Sequence, residues 1–357
     1  MKKLRHVALA ITTTLLVAAC GGGTTDTATE APAPAPAPAE VPEEPEFPAV
    51  LEIRQAAIGA LPNLPVILAA DSAYQEEYGI KIINVPVTSP TDYVTGLGRG
   101  DLDVVPGTPS IAIAAREQGI PITVIARGSF GNTQFIIAPG AGVGEGDWDA
   151  FKALVDSRAA AGNKVKMGAV AAASTNYVLC METFTLKGIN VDNIDIINIP
   201  AFPEHPAALE RGEVDLICTT EPFATIAVSK GIGQLLDTPF ETESGNILGA
   251  LITAERNLTD PVRREAVRRW MQVVIRIMDD INADPTIAKE WVKGAVGVDD
   301  AAAERMLTFA GWSPPADLVQ LGALAQGHFR LGQTKVDWST RIDEWVDLSL
   351  QNEILGN

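Results

Sequence analysis

Histidine and cysteine are scarce in this sequence. Its 357 residues include only three histidines, His6, His205 and His328, and three cysteines, Cys20, Cys180 and Cys218. No His/Cys/carboxylate spacing matches a metal site, and a histidine-based catalytic triad has little to draw on. Basic residues are also few, 27 Lys and Arg against 45 Asp and Glu. That imbalance disfavours nucleic-acid binding, which needs clustered cations to neutralise phosphates. The apolar run at the start, "VALAITTTLLVAA" (Val7 to Ala19), is too short to span a bilayer. The remaining composition, 46% hydrophobic and 20% charged, is that of a globular chain with room for two cores.

The opening residues have their own order. Lys2, Lys3 and Arg5 precede the apolar run, which ends in small residues before Cys20. This is the layout of an export signal. "LVAAC" resembles a bacterial lipobox, which implies cleavage before Cys20 and lipidation of its thiol. Residues 1–19 then form the signal peptide. Residues 20–48 follow as a lipid-anchored linker without Lys or Arg, and its Ala-Pro repeat favours an extended polyproline II spacer. The signal takes three basic residues with it, so the lipid, and not attraction to anionic headgroups, has to hold the body at the membrane. In an exported protein Cys180 and Cys218 are able to pair. Buried small hydrophobes are the commoner role for such residues.

From Ala49 onward, short apolar runs alternate with helical stretches. "VLEIRQAAIG", "IKIINVPV", "DVVPG" and "PITVIARG" read as strands separated by helices, the pattern of an α/β sheet. A second series follows, through "VKMGAV", "IDIINIP", "DLICTT" and "QLLDTP". In it Asp147 is placed to cap the helix "DWDAFKALVDSRAAAG". After "NILGALITA" the chain turns mostly helical, with Trp270, Trp291, Trp312 and Trp345 as packing residues on those helices. The expected organisation is two α/β lobes with a hinge and a cleft. The first lobe takes residues 49–140 and 246–357, the second residues 141–245.

"LGRGDLD" (Leu97 to Asp103) and "LERGEVD" (Leu209 to Asp215) share the form L-x-R-G-[DE]-[LV]-D. At the same offset along the chain Gly119-Ile120 matches Gly231-Ile232. Gly100 and Gly212 suit a left-handed helix end, Arg99 and Arg211 suit the negative end of a helix, and Asp103 and Asp215 stand where a strand begins. The repeat reads as a helix-to-strand joint used twice, with no catalytic role. In open α/β sheets solutes sit beyond the carboxyl ends of strands. That points to "GTPS" (Gly107 to Ser110) and "TTEP" (Thr219 to Pro222) as the turns at the cleft.

The segments "LGRGDLDVVPGTPSIAIAAREQGIPITVIAR" and "PAALERGEVDLICTTEPFATIAVSKG" resemble the solute-binding proteins of bacterial ABC importers. The sublineage they resemble handles nitrate, sulfonates, taurine and thiamine-pyrimidine precursors. "LPNLPVILAA" is similar to the Pro-Asn element of the pyrimidine-binding branch, with Ala60 and Leu61 where that branch has a tryptophan. The resemblance implies a type II periplasmic-binding fold, hinge closure on a small solute, and docking to a permease and its ATPase. No cofactor and no metal are expected. A body held outside the cytoplasm by the lipid on Cys20 completes this expectation.

The residues expected to line the cleft are, in the first lobe, Asn63, Tyr93, Thr108, Ser110, Phe130, Asn132 and Thr133. In the second they are Ser174, Thr175, Asn176, Tyr177, Phe202, Thr219, Glu221 and Phe223. Thr88 and Asp92 stand beside them. Lys and Arg are absent from this set, and Asp92 and Glu221 would repel a small dianion. Five aromatics would suit a flat heteroaromatic ring, such as riboflavin or a thiamine pyrimidine. The alternatives are a sulfonate, taurine or nitrate binder on the same fold, a pyrimidine-synthesising enzyme of related fold, or a structural surface lipoprotein. The enzyme would need a cofactor lysine and a cleft histidine, for which only His205 is placed.

Overall fold

The two series of apolar runs build two separate sheets. A computed structural model of the protein describes residues 46–87 and 89–356. Residues 1–19, Cys20, nearly all of the linker and Thr88 lie outside the described residues, so the lipobox reading is not addressed by it. The described residues from Phe47 onward form one compact unit.

The strands are β1 (Leu51–Gln55), β2 (Ile80–Asn84), β3 (Val104–Gly107), β4 (Ile122–Gly131), β5 (Thr133–Ile137), β6 (Val165–Ala169), β7 (Ile194–Asn198), β8 (Leu216–Thr220), β9 (Gln234–Asp237), β10 (Ile247–Ala254) and β11 (Ala310–Gly311). The first sheet has the order β11-β4-β10-β3-β1-β2 and the second β7-β6-β8-β5-β9. Each contains a parallel triple, β2-β1-β3 and β7-β6-β8, followed by a strand running the other way. The fold is the two-lobed α/β arrangement with a helical C-terminal part.

Both faces of each sheet are covered, which explains why their strands are almost continuously apolar. One face of the first sheet packs on the 23-residue helix Pro261–Ala283 through Trp270 and Met271. The other face meets Leu97, Ile113 and Leu321 from three different helices. In the second sheet, Phe135, Met167 and Leu216 pack on Phe151 and Phe184, while Ile136 and Ile217 pack on Leu209 and Ala224. Cys180, on the helix Thr175–Leu186, and Cys218, on β8, are joined in a disulfide within this core, their Cα atoms 6.5 Å apart. The pairing left open by the sequence is thus made, because helix and strand face each other across one layer of side chains.

Several expectations are adjusted. The first crossing between sheets falls at Asn132, between β4 and β5, and not at Gly140. The Gly-rich turn "PGAG" follows a strand that already belongs to the second sheet. Trp312 and Trp345 are buried as packing residues but lie in irregular segments, not in helices.

The repeated joint has a clear physical content. Gly100 and Gly212 take φ of 85° and 69°, in the left-handed region. Asp103 accepts the backbone N–H of Arg54 at 2.9 Å, and its other oxygen binds the Arg54 guanidinium at 2.8 Å. Asp215 accepts the backbone N–H of Lys166 at 2.8 Å and pairs with Arg158 at 2.7 Å. In return the N–H groups of Asp103 and Asp215 donate to the carbonyls of Arg54 and Lys166. Each aspartate therefore extends a parallel ladder by one rung and holds the register Gln55↔Val104 or Met167↔Leu216. In both lobes the partner strand lies 49 residues away along the chain.

Gly212→Ala should lower the unfolding free energy by about 1–2 kcal/mol through backbone strain alone, since a Cβ there meets nothing within 4 Å. Urea denaturation of the two proteins measures it, and an unchanged midpoint would contradict the joint as described.

Candidate functional site between the lobes

The first joint leads through β3 to the contact between the lobes, and in the second lobe it is the helix after β6 that meets it. β3 ends at Gly107, and Thr108 stands at the N-cap of the helix Pro109–Glu117. In the other lobe Ser174 caps the helix Thr175–Leu186, its Oγ accepting the Tyr177 N–H at 3.1 Å. The two helix starts meet. Ser110 Oγ lies 2.5 Å from Thr175 Oγ1, and both residues are buried. Free first-turn N–H groups and the positive ends of two helix dipoles converge on this contact.

Two chain segments join the lobes, and each passes through a buried asparagine with positive φ, Asn132 at 70° and Asn246 at 52°. Among the described residues these are the only non-glycine positions with positive φ. Asparagine tolerates this conformation better than most side chains. The segments are bonded side by side, Gly131 N–H donating to Asn246 O at 2.9 Å. Around them Asn132 Oδ1, Asn176 Oδ1, Thr219 Oγ1, Thr220 Oγ1 and the Asn246 carboxamide are buried without a protein hydrogen-bond partner. Buried polar groups of this kind call for a partner. Asn176 Nδ2 meanwhile donates to Thr133 Oγ1 at 3.2 Å.

Both acids thought to repel an anion are already engaged. Asp92 closes a capping box, accepting the Ser89 N–H at 2.8 Å. Glu221 is buried on the other side of the second sheet. It accepts from Gln134 Nε2 at 2.5 Å, Thr225 Oγ1 at 2.9 Å and Arg305 Nη1 at 3.0 Å. Arg305 also donates to Gln134 Oε1 at 2.8 Å and lies over the Phe309 ring. Burial pushes the Glu221 carboxyl up, while Gln134 and Arg305 oppose that shift. Arg305 belongs to the helix Asp300–Thr308, which packs on the first lobe through Ala303 and Met306. The pair is thus a second polar contact between lobes, and it gives the Glu221 carboxylate a cation.

The other expected residues divide. Tyr93 is 2% exposed in the first core, its phenol oxygen accepting the Ile58 N–H at 2.7 Å, and burial pushes its pKa up to about 12. Asn63 is half-buried and donates to Ile58 O at 2.9 Å. Phe130 is half-buried beneath the Arg127 guanidinium at 5.0 Å, and Gly311 sits so close that any Cβ there would strike its ring. Phe202 and Phe223 are half-buried and parallel within 7°, centroids 6.4 Å apart. His205 lies beside Phe202 and is held by Ile199 O, and burial lowers its pKa. Tyr177 is half-buried, with its phenol pKa raised by burial.

Sequence reasoning missed Arg305, Gln134, Asn246 and His328. Arg305 is remote from Glu221 along the chain and lies on a helix with no motif. Among the described residues no group of His, Cys, Asp and Glu could hold a metal ion.

This geometry defines a two-lobed α/β protein with a polar contact at the mouth of its hinge, and the comparisons agree with that class. Residues 50–293 match the NMT1-like family, and the chain belongs to it. Among curated protein sequences none matches. Solved structures share the fold at low identity. The nitrate-binding protein NrtA from Synechocystis PCC 6803 superposes with a TM-score of 0.70 at 12% identity, covering 87% of this chain and 90% of its own. The ligand-binding component of an ABC-type import system from Staphylococcus aureus, with zinc bound, gives 0.67 at 14%, covering 85% and 98%. The alkanesulfonate-binding protein SsuA from Xanthomonas axonopodis pv. citri, bound to MOPS, gives 0.64 at 14%, covering 85% and 100%.

Arg305→Ala should cost about 3 kcal/mol, because it leaves the Glu221 carboxylate buried without its cation. Adding Glu221→Gln should recover part of that loss. Thermal and urea unfolding of the single and double variants measure it, and a neutral Arg305→Ala would contradict the pairing.

Proposed function

We propose that this protein is the extracytoplasmic solute-binding component of an ABC importer and that its solute is a small anion of the sulfonate or nitrate class. The observation that carries the reading is the convergence of two helix N-termini, one from each lobe, at the Ser110–Thr175 contact. Helix starts bind anions through backbone N–H groups without needing Lys or Arg. The engagement of Asp92 and Glu221 elsewhere supports the same reading. So do fold relatives named as nitrate- and alkanesulfonate-binding proteins. Within this proposal Thr108, Ser174, Thr175 and Asn176 hold the solute from helix starts, and Asn132, Thr133 and Thr219 border it near the hinge. The closed body hands its solute to a permease driven by an ATPase, and the lipid on Cys20 keeps it at the membrane surface.

A second reading has one specific support. Phe202 and Phe223 present parallel, half-buried rings beside the "TTEP" turn, a platform suited to a flat heteroaromatic such as riboflavin or a thiamine pyrimidine.

Calorimetric titration with nitrate, taurine, ethanesulfonate, riboflavin and hydroxymethylpyrimidine separates the two. The expected result is saturable binding of a sulfonate or nitrate and none of riboflavin or the pyrimidine. Binding of riboflavin or the pyrimidine alone would replace the anion reading with the second one.

A further inference from the structure

His328 sits at the lobe contact, yet nothing proposed above uses it. It comes from the helix Leu318–Arg330, beyond the residues 50–293 that match the family. The side chain is buried, 2% exposed. Its Nε2 lies 2.6 Å from Ser110 Oγ, and its Nδ1 lies 2.7 Å from Gln333 Oε1. Ser110 Oγ is at the same time 2.5 Å from Thr175 Oγ1. One chain of hydrogen bonds therefore runs from the second lobe, through the first, into the C-terminal helix.

Elementary chemistry gives that chain a direction. An amide oxygen only accepts, so the hydrogen between Gln333 and the ring belongs to Nδ1. In a neutral imidazole Nε2 is then an acceptor. Burial lowers the pKa of this ring below its ordinary 6.5, which keeps it neutral at pH 7. Nε2 consequently takes the hydroxyl hydrogen of Ser110. The serine oxygen has only lone pairs to offer Thr175, so the Thr175 hydroxyl is the donor across the lobe contact. A serine beside a histidine is also how a nucleophile is activated, but a nucleophile keeps its oxygen open to a substrate carbonyl. Here the oxygen belongs to a residue 5% exposed and is bonded on both sides.

We propose that His328 is a positioning residue of the interlobe site: as the Nδ1–H tautomer it fixes the Ser110 and Thr175 hydroxyls in one orientation and so latches the second lobe onto the first. Because both hydroxyl hydrogens lie along the chain, the solute is left to the first-turn backbone N–H groups. The latch rests on the reading of this cleft as the solute site. Its consequence is that the C-terminal helix, outside the family match, helps set the balance between open and closed lobes. A solute that binds only the closed form then gains or loses affinity with the latch.

Two measurements on the intact protein test this. The first is long-range 1H–15N NMR of the imidazole rings without solute at pH 7, the His328 signals being those lost in His328→Gln. Hydrogen on Nδ1 and a bare Nε2 are expected, and hydrogen on Nε2 or a doubly protonated ring would overturn the proposal. The second is calorimetric titration with ethanesulfonate. His328→Ala should bind about fivefold more weakly, the worth of one net hydrogen bond. His328→Gln keeps an acceptor toward Ser110 and should bind like the unsubstituted protein. Equal loss in both variants, with the native fold retained by circular dichroism, would overturn the latch. If ethanesulfonate binds none of the three proteins, the alkanesulfonate form of the anion reading fails, and the tautomer still decides the fate of the latch.

Discussion

Two chain segments connect the lobes, and both pass through a buried asparagine in the left-handed region. That constraint governs the rest of the molecule. Asn132 hands the chain from the first sheet to the second, and Asn246 stands where it returns to β10. The bond from Gly131 N–H to Asn246 O ties the two passages together, and the Asn132 N–H donates to Phe309 O in the helical tail. Further polar links between the lobes come from side chains. The Ser110–Thr175 hydroxyl contact lies toward the cleft, and the Arg305–Glu221 pair lies behind the second sheet. Apolar packing joins the lobes as well, since Val178 of the helix Thr175–Leu186 is buried in the same cluster as Leu321 and Leu324 of the helix Leu318–Arg330.

What brings those contacts together is the duplicated joint. Asp103 and Asp215 make equivalent reciprocal bonds to the strand beside them, and each also holds an arginine. They set the register of β3 against β1 and of β8 against β6, and so decide where β3 and β8 end. In the first lobe the turn after β3 starts the helix that carries Ser110. In the second lobe the turn after β8 sends Glu221 behind the sheet, while the helix after β6 presents Thr175. The two lobes thus share their scaffold but meet through different helices.

Much of the fold was legible because it depends on local patterns. The alternation of apolar runs and helices, the helix ends at Gly100 and Gly212, and the cap at Asp147 need only neighbouring residues. Of the proposed site, strand ends and helix starts pointed to Thr108, Ser110, Ser174 and Thr175, residues of the two helix starts that meet between the lobes. Other features depend on contacts between distant segments. Glu221 looks like a cleft acid until Arg305 arrives from a helix of the C-terminal part. Ser110 looks like a free helix-start hydroxyl until His328 arrives from another. Tyr93 reads as a wall of the cleft, yet its ring closes the first core because the backbone N–H of Ile58 holds its oxygen there. The Cys180–Cys218 bond needed the helix to face β8, a relation that no spacing reveals. The boundary drawn at Gly140 lies beyond the actual passage, which falls inside an unbroken run of buried residues.

The central claim is that two helix starts, one from each lobe, hold the solute between them. A crystal structure with ethanesulfonate bound tests it most directly. The account predicts the sulfonate group within hydrogen-bonding reach of first-turn N–H groups from both helices, Pro109–Glu117 and Thr175–Leu186. A sulfonate bound to one lobe alone, or away from both helix starts, would contradict it.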